Sequence, residues 1–343
     1  MCSIAKDIGI DLGTASVLVY VKGKGVVLNE PSVVAIDKNT GKLLKVGAEA
    51  QAMLGRTPGN IVAIRPLREG VISDYDMTER MLREFLHKVV GGFQLFKPRV
   101  IICVPSGITE VEERAVVDAG IQAGARRVYL IEEPVAAAIG AGIDISKPDG
   151  HMVVDIGGGT SDIAVLSLNG IVCKSSVKMA GNKMNAAIVR YVRSTYNVLI
   201  GDSTADRVKR EIGTVWTEGQ PEKTVEVKGR NLVTGLPQKI TLSSYELEMP
   251  LRIEVERIIT ALQSVMEQTP PELVADIEKN GLLMTGGGAM LDGLDKLITS
   301  RVRIRAHLAE NPIEAVAIGT GKSFEYLGKL YDGFVSYTNY SSR

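Results

Sequence analysis

The chain has 343 residues, 45% of them hydrophobic and 23% charged, with 40 basic residues against 40 acidic ones. One core rarely grows past about 250–300 residues, so at least two lobes are expected. The balanced charge supplies no overall field to recruit nucleic acid or an anionic membrane, and three scattered cysteines and three histidines form neither a disulfide framework nor a zinc-ligand spacing.

A strand pattern begins inside "MCSIAKDIGID", which leaves no room for a signal peptide, and nowhere do 18 apolar residues run together. A cytoplasmic chain is expected. Ile8 to Leu12 reads as a strand running into Gly13-Thr14, and the β runs around "KGKG" read as hairpins. Asp76 with Glu79 makes a candidate capping box for a helix from Met77 to about Val90. "PRVIICVP" is a strand, and Thr109 with Glu112 caps a helix that stops near Gly124. "RRVYLI" is a further strand, and "EEPVAAAIGAG" turns into a helix of small residues. Alternation of this kind indicates an α/β sheet.

From Val153 the opening pattern returns. "IGIDLGTASVLVYVKGKGVVL" and "MVVDIGGGTSDIAVLSLNGIV" share strand, Asp, Gly/Thr turn, strand, glycine turn and strand, with Asp11 matching Asp155 and Gly13 matching Gly157. An acid at a strand end before a glycine turn is too odd a feature for generic hairpins to keep, so an internal duplication is expected. Beyond it come a helix from Met184 to Tyr196 and a helix start in "STADRVKREIG". A polar β-rich insertion over 219–243 precedes a helix from Leu251 to Gln268 that is ended by Pro270-Pro271. "GLLMTGGGAML" repeats the strand-to-glycine theme, a last helix spans Pro312 to Leu330, and residues 331–343 read as a flexible tail.

Glycine turns let several backbone N–H groups point at one anion, and the missing Cβ lets phosphate oxygens come close. Three such turns after hydrophobic strands suggest one polyphosphate gripped from several sides, although none fits GxxxxGK[ST] or GxGxxG. Asp11 and Asp155 would repel phosphate directly. They make sense if Mg2+ with retained waters lies between them and the ligand.

"DIGIDLGT", "VVDIGGGTSDIAV", "LIEEPVAAAIGAG" and "LLMTGGGAML", in this order, resemble the ATPase fold shared by actin, sugar kinases and heat-shock chaperones. "NEPSVVAID", "LGRTPGNIVAIRPLREGVI", "PPELVADI" and "GTGKSFE" narrow the resemblance to the bacterial actin homologue MreB and its paralogues (MreB, Mbl and MreBH-like proteins), from Asp7 to about Tyr326. The resemblance implies a two-lobed actin-like ATPase fold with duplicated mixed β-sheet subdomains and a nucleotide cleft between the lobes. Lobe I would cover 1–145 and lobe II 146–330, with a β-rich insertion at about 200–260. It implies ATP and Mg2+ as ligands. Asp11, Gly13, Thr14 and Ala15 would form one phosphate turn; Asp155, Gly157, Gly158, Gly159 and Thr160 would form the other. Asp11 and Asp155 would hold the metal through water. Glu133 would orient or deprotonate the attacking water with help from Thr160, although an acid at a helix N-terminus is favoured by the dipole alone, and Glu132 shares that advantage. The adenosine end would lie at Gly286, Gly287, Gly288 and Ala289. Asp206 and Lys209 share a helix face and would contact ribose and base, unless they are a solvated ion pair.

The loop "GGFQLFK" concentrates two of the five phenylalanines, which either fold back as a satellite core or form an exposed wedge; the resemblance makes Phe93, Leu95 and Phe96 a wedge for the inner membrane, within a loop spanning 92–98. Each buried side chain contributes about 1.5–3 kcal/mol, so a polymer would bind far more firmly than one molecule. "AGNKMNAAI" departs from the family pattern, with Asn182, Lys183 and Asn185 in a stretch that usually carries acids. The implied function is a cytoplasmic, membrane-associated filament that hydrolyses ATP slowly and guides cell-wall elongation and rod shape. Its partners would be itself, as paired protofilaments, the lipid surface and membrane adaptor proteins, with no nucleic acid. A small-molecule kinase or a non-polymerising ATPase scaffold of the same fold are the alternatives.

Overall fold

The computed structural model describes residues 6–91, 97–327 and 334–337. The chain opens with the antiparallel strands β1 (Asp7–Leu12), β2 (Ser16–Val21) and β3 (Gly25–Pro31). A small excursion follows: β4 (Val34–Asp37), β5 (Leu43–Val46), the single turn α1 (Ala48–Gln51), β6 (Ile61–Ile64), and the two-residue strands β7 (Leu67–Arg68) and β8 (Val71–Ile72). Then come α2 (Tyr75–Val90), β9 (Arg99–Val104), α3 (Glu110–Gln122), β10 (Arg127–Glu132) and α4 (Glu133–Gly140).

The second half repeats the plan with β11 (His151–Ile156), β12 (Ser161–Ser167), β13 (Gly170–Val177) and α5 (Gly181–Tyr196). After β14 (Val198–Leu199) and α6 (Asp202–Ile212) the hairpin β15 (Thr224–Asn231) and β16 (Pro237–Ser243) leads into α7 (Ser244–Gln268) and α8 (Pro271–Asn280). The chain continues through β17 (Leu282–Thr285), α9 (Leu294–Val302), β18 (Ala306–Leu308), α10 (Ala315–Lys322) and β19 (Phe334–Tyr337).

The duplication extends well past the twenty-residue motif. The first sheet has the order β19-β10-β9-β1-β2-β3, and the second has β18-β17-β11-β12-β13, so the two share a five-strand plan to which the first adds β19 at its edge. In each, the first motif strand pairs antiparallel with the next and parallel with a strand from later in the chain. Each also carries an irregularity between its second and third motif strands, at Val19/Tyr20 and at Val165/Leu166.

One core lies between the first sheet and α2 and α3, around Met81, Leu82, Phe85, Ile102 and Leu130. A second packs α5 and α7 on the other sheet, and a third joins the two sheets through α4, Val316 and Phe324. At this junction α4 and α10 cross so closely that a Cβ on Gly319 would lie 1.7 Å from the Ala136 carbonyl oxygen, and one on Gly140 would lie 1.8 Å from that of Ala315.

Several sequence expectations shift. The N-cap of α2 is Asp74, which accepts from the Met77 N–H, so the cap lies two residues before Asp76. The Thr109–Glu112 capping box stands as read. Helix α7 begins at Ser244, not after Pro250, because Ser243 and Glu246 form a complete capping box and buried Leu247 and Leu251 carry the inner face across the proline. The last helix is shorter than Pro312–Leu330: α10 tightens into a 3-10 turn at Ser323–Tyr326. That segment packs on α4 and β1, so it belongs with the first sheet although it follows the second in sequence. Within the expected tail, Phe334–Tyr337 pairs antiparallel with β10 and supplies hydrogen bonds to what would otherwise be an open sheet edge.

Candidate functional site

A cleft of about 740 Å³ opens between the two halves. Its walls include Asp11, Gly13, Thr14, Ala15, Glu133, Asp155, Gly157, Gly158, Gly159, Thr160, Asp206, Lys209, Gly286, Gly287 and Gly288. Ala289 does not line it; the residue is 2% exposed, inside the 3-10 turn Gly287–Met290, where it packs on the second core. Phe93, Leu95 and Phe96 lie outside the described residues.

The two motif turns have the same construction. The Gly13 N–H donates to the Ser16 carbonyl at 3.1 Å, and the Gly157 N–H donates to the Thr160 carbonyl at 3.0 Å. Carbonyls of both turns are tied from outside. Ser32 donates its hydroxyl to the Gly13 carbonyl at 2.5 Å and its N–H to that of Ala15 at 3.1 Å. In the second turn, the first N–H groups of α5, at Gly181 and Asn182, donate to the carbonyls of Gly157 and Gly158 at 3.1 and 2.9 Å. The turns also meet face to face. A Cβ on Gly158 would lie 2.5 Å from the Ala15 Cβ, and one on Gly159 would lie 2.4 Å from the Thr14 hydroxyl. Side chains are absent here because the opposite turn occupies their space.

Asp11 and Asp155 lie near the ends of matching strands; Asp155 is buried and Asp11 is half-buried at the cleft wall. Burial lifts the Asp11 carboxyl to about 6, against a lowering hydrogen bond from Cys103. Burial lifts Asp155 to about 7, with Thr285 lowering it and the charge of Asp11 adding to the rise. Glu133 is pushed well above the carboxylate range, first by burial and then by the charges of Asp162, Asp155 and Asp11. Three acids facing one cleft, with Asp162 buried behind them, make an electrostatic demand for a cation. Two hard carboxylates plus retained waters are the donor set that suits Mg2+. The neighbouring Glu132 turns away to pair with Lys174 at 2.7 Å, whereas Glu133 opens α4 and faces the cleft.

A family model described as MreB/Mbl protein matches residues 5–332. The chain belongs to the MreB/Mbl family. The cell shape-determining protein Mbl of Bacillus subtilis (strain 168) is 53% identical over 326 residues, covering 95% of this chain and 98% of that one. The cell shape-determining protein MreB of Escherichia coli (strain K12) is 49% identical, covering 94% of each. Among solved structures, MreB5 of Spiroplasma citri bound to AMPPNP superposes with a TM-score of 0.90 at 37% identity, covering 95% of this chain and 98% of that one. The fold is therefore actin-like. A MamK double helical filament, at 20% identity and a TM-score of 0.78, shares the fold alone.

Within the MreB/Mbl frame, the far end of the cleft is polar. Lys209 bridges Asp206 at 3.0 Å and donates to the Asn185 side-chain oxygen at 2.7 Å and the Gly181 carbonyl at 3.2 Å. Burial draws the Lys209 ammonium down, and Asp206 partly restores it. Asn185, one of the family departures, thus ties α5 to α6. Asn182 lines the cleft, and Lys183 reaches Glu69 of the first half at 3.0 Å. Sequence reasoning passed over Glu69 and Gly70, which lie on the β7–β8 turn: the Gly70 N–H donates to the Thr14 hydroxyl at 2.9 Å. It also assigned no role to Asp162. The signal was there: a second acid in an otherwise apolar strand, the oddity that drew notice to Asp155.

Proposed function

We propose that this protein is an ATP-binding cytoskeletal filament former that hydrolyses ATP slowly and guides cell-wall elongation from the inner membrane. The observation that carries it is the matched pair of acid-and-glycine turns facing each other across one cleft. Solved relatives of the MreB kind hold AMPPNP or ADP, and relatives near 50% identity are named for cell shape.

In this reading, turns 13–15 and 157–160 bind phosphate through backbone N–H groups and the Thr14 and Thr160 hydroxyls. Asp11 and Asp155 would hold Mg2+ through its waters; when bound, the ion neutralises phosphate charge. Glu133, with Thr160, orients the attacking water and accepts its proton. Asp206 and Lys209 hold the ribose, and Gly286 to Gly288 give the base a wall without side chains. Polymerisation multiplies weak membrane contacts from Phe93, Leu95 and Phe96. Adaptors in the membrane would link the filament to wall synthesis.

The test combines calorimetry with Mg-ATP and sedimentation with and without anionic vesicles. Heat of binding and an ATP-dependent pellet that recruits vesicles are expected. A soluble, non-pelleting protein that transfers the γ-phosphate to a metabolite would replace the filament reading with a kinase.

A further inference from the structure

Asp162 is fully buried on β12, directly across the ladder from Asp155. Its Oδ1 accepts the Ser106 N–H at 2.7 Å. Ser106 lies on the turn after β9, so a side chain of the second half caps a backbone group of the first. Its other oxygen, Oδ2, is buried without a hydrogen-bond donor. Beside the Asp162 carboxyl lie the hydroxyls of Ser176 and Thr160 and the carboxyl of Glu133.

We infer that Asp162 is the positioning residue for Glu133, holding its carboxyl at the phosphate end of the cleft through a strut that runs Ser106–Asp162–Glu133. The inference rests on the ATPase reading. Both ends of the strut belong to the first half of the chain and its middle to the second. Displacement of one half against the other therefore alters where the Glu133 carboxyl rests. Hydrolysis competence is in this way coupled to the arrangement of the halves, without any contact between Asp162 and nucleotide.

Three variants test this: Asp162→Ala, Asp162→Asn and Glu133→Gln. Single-turnover phosphate release, KM and the Kd of a fluorescent ATP analogue are measured on the full chain. Asp162→Ala should lower kcat about 10- to 100-fold, the cost of a misplaced catalytic group, while Kd moves less than about threefold. Asp162→Asn can still accept from Ser106 and can donate to Glu133, so it should recover most of that loss. In the Glu133→Gln background, Asp162→Ala should slow turnover no further, because both changes remove one function. Should the alanine variant not fold, Asp162→Ser replaces it, since serine ends short of Glu133. Unchanged turnover in Asp162→Ala or its serine substitute, an asparagine variant as slow as either, additive losses in the double variant, or a fall in kcat matched by a comparable rise in Kd would each overturn the inference. A wild-type protein that binds no ATP analogue, or binds it without turnover, would instead sink the parent reading.

Discussion

The Cys103 thiol donates to the Asp11 carboxylate at 3.4 Å, from a residue directly across the parallel β1–β9 ladder. In the second half Thr285 holds the same place on β17 and donates to Asp155 at 2.7 Å. The duplication thus copied a donor for each acid, and one copy has the weaker thiol. Thr285→Val keeps the shape of the side chain and removes its hydroxyl. With its donor gone, Asp155 becomes a poorer anion, and Mg-nucleotide affinity measured by calorimetry should fall about tenfold, as when the outer partner of a metal-binding carboxylate is lost. Undiminished affinity would show that Asp155 does not serve the cation.

The same acids make the unliganded protein pH-sensitive. Asp11 rises from 3.8 to about 6 and Asp155 from 3.8 to about 7 on folding. The native state binds protons that the unfolded chain has released, so this contribution is fully present below about pH 4 and is lost as pH climbs through 6 and 7. Between the unfolded and folded values of each acid, stability should fall by about 1.4 kcal/mol per pH unit. Asp11→Asn removes one of the two. Thermal unfolding without Mg2+ or nucleotide should therefore show the variant gaining on wild type between about pH 4 and pH 6, with the gap level above that; a constant gap from pH 4 to pH 6 would contradict the burial of Asp11 as an acid.

The junction between the sheets has little tolerance. At Gly319 an added methyl meets the backbone of Ala136, which cannot swing aside as a side-chain tip can. Gly319→Ala should destabilise the fold by about 1–3 kcal/mol or more, the usual cost of overpacking. Gly59 meets nothing within 4 Å of an added Cβ, so Gly59→Ala is the control. Equal unfolding midpoints in urea for the two variants would mean that α4 and α10 can separate without cost.

What the sequence disclosed follows from which residues have one explanation. Asp11 and Asp155 stood out because an acid at the end of a buried strand has few structural uses. The matched glycine turns marked the cleft, since three glycines in a row give up packing. Glu133 could be preferred over Glu132 only by resemblance; in the fold, Lys174 takes Glu132 away. Local signals misled where tertiary packing outweighed them. Pro250 looks like a helix boundary until the Ser243–Glu246 box is seen to start the helix earlier. The placement of α10 against β1 is a long-range fact that no periodicity announces. Asp162 was visible as an anomaly, but only the Ser106 and Glu133 contacts give it a role.

Lys183 stands in a stretch where the family usually carries acids, and it spans the cleft to Glu69, with Lys178 a further partner at 3.8 Å. Glu69 adopts a left-handed φ of 49° and is followed by Gly70 at 80°, so the β7–β8 corner is bent over Thr14 and Thr160. Both members of the Lys183–Glu69 pair are about two-fifths exposed, which keeps the interaction below about 1 kcal/mol and open to screening. A clasp of that strength suits a gate better than a lock. Lys183→Glu should release a fluorescent nucleotide about two- to fivefold faster at low salt, and the swap Glu69→Lys with Lys183→Glu should restore the parent rate. Raising ionic strength should erase the differences. If displacement kinetics in stopped flow are the same for wild type, single variant and swap at low salt, the corner is held by Gly70 and Thr14 alone, and the departure at Lys183 has no bearing on how the cleft opens.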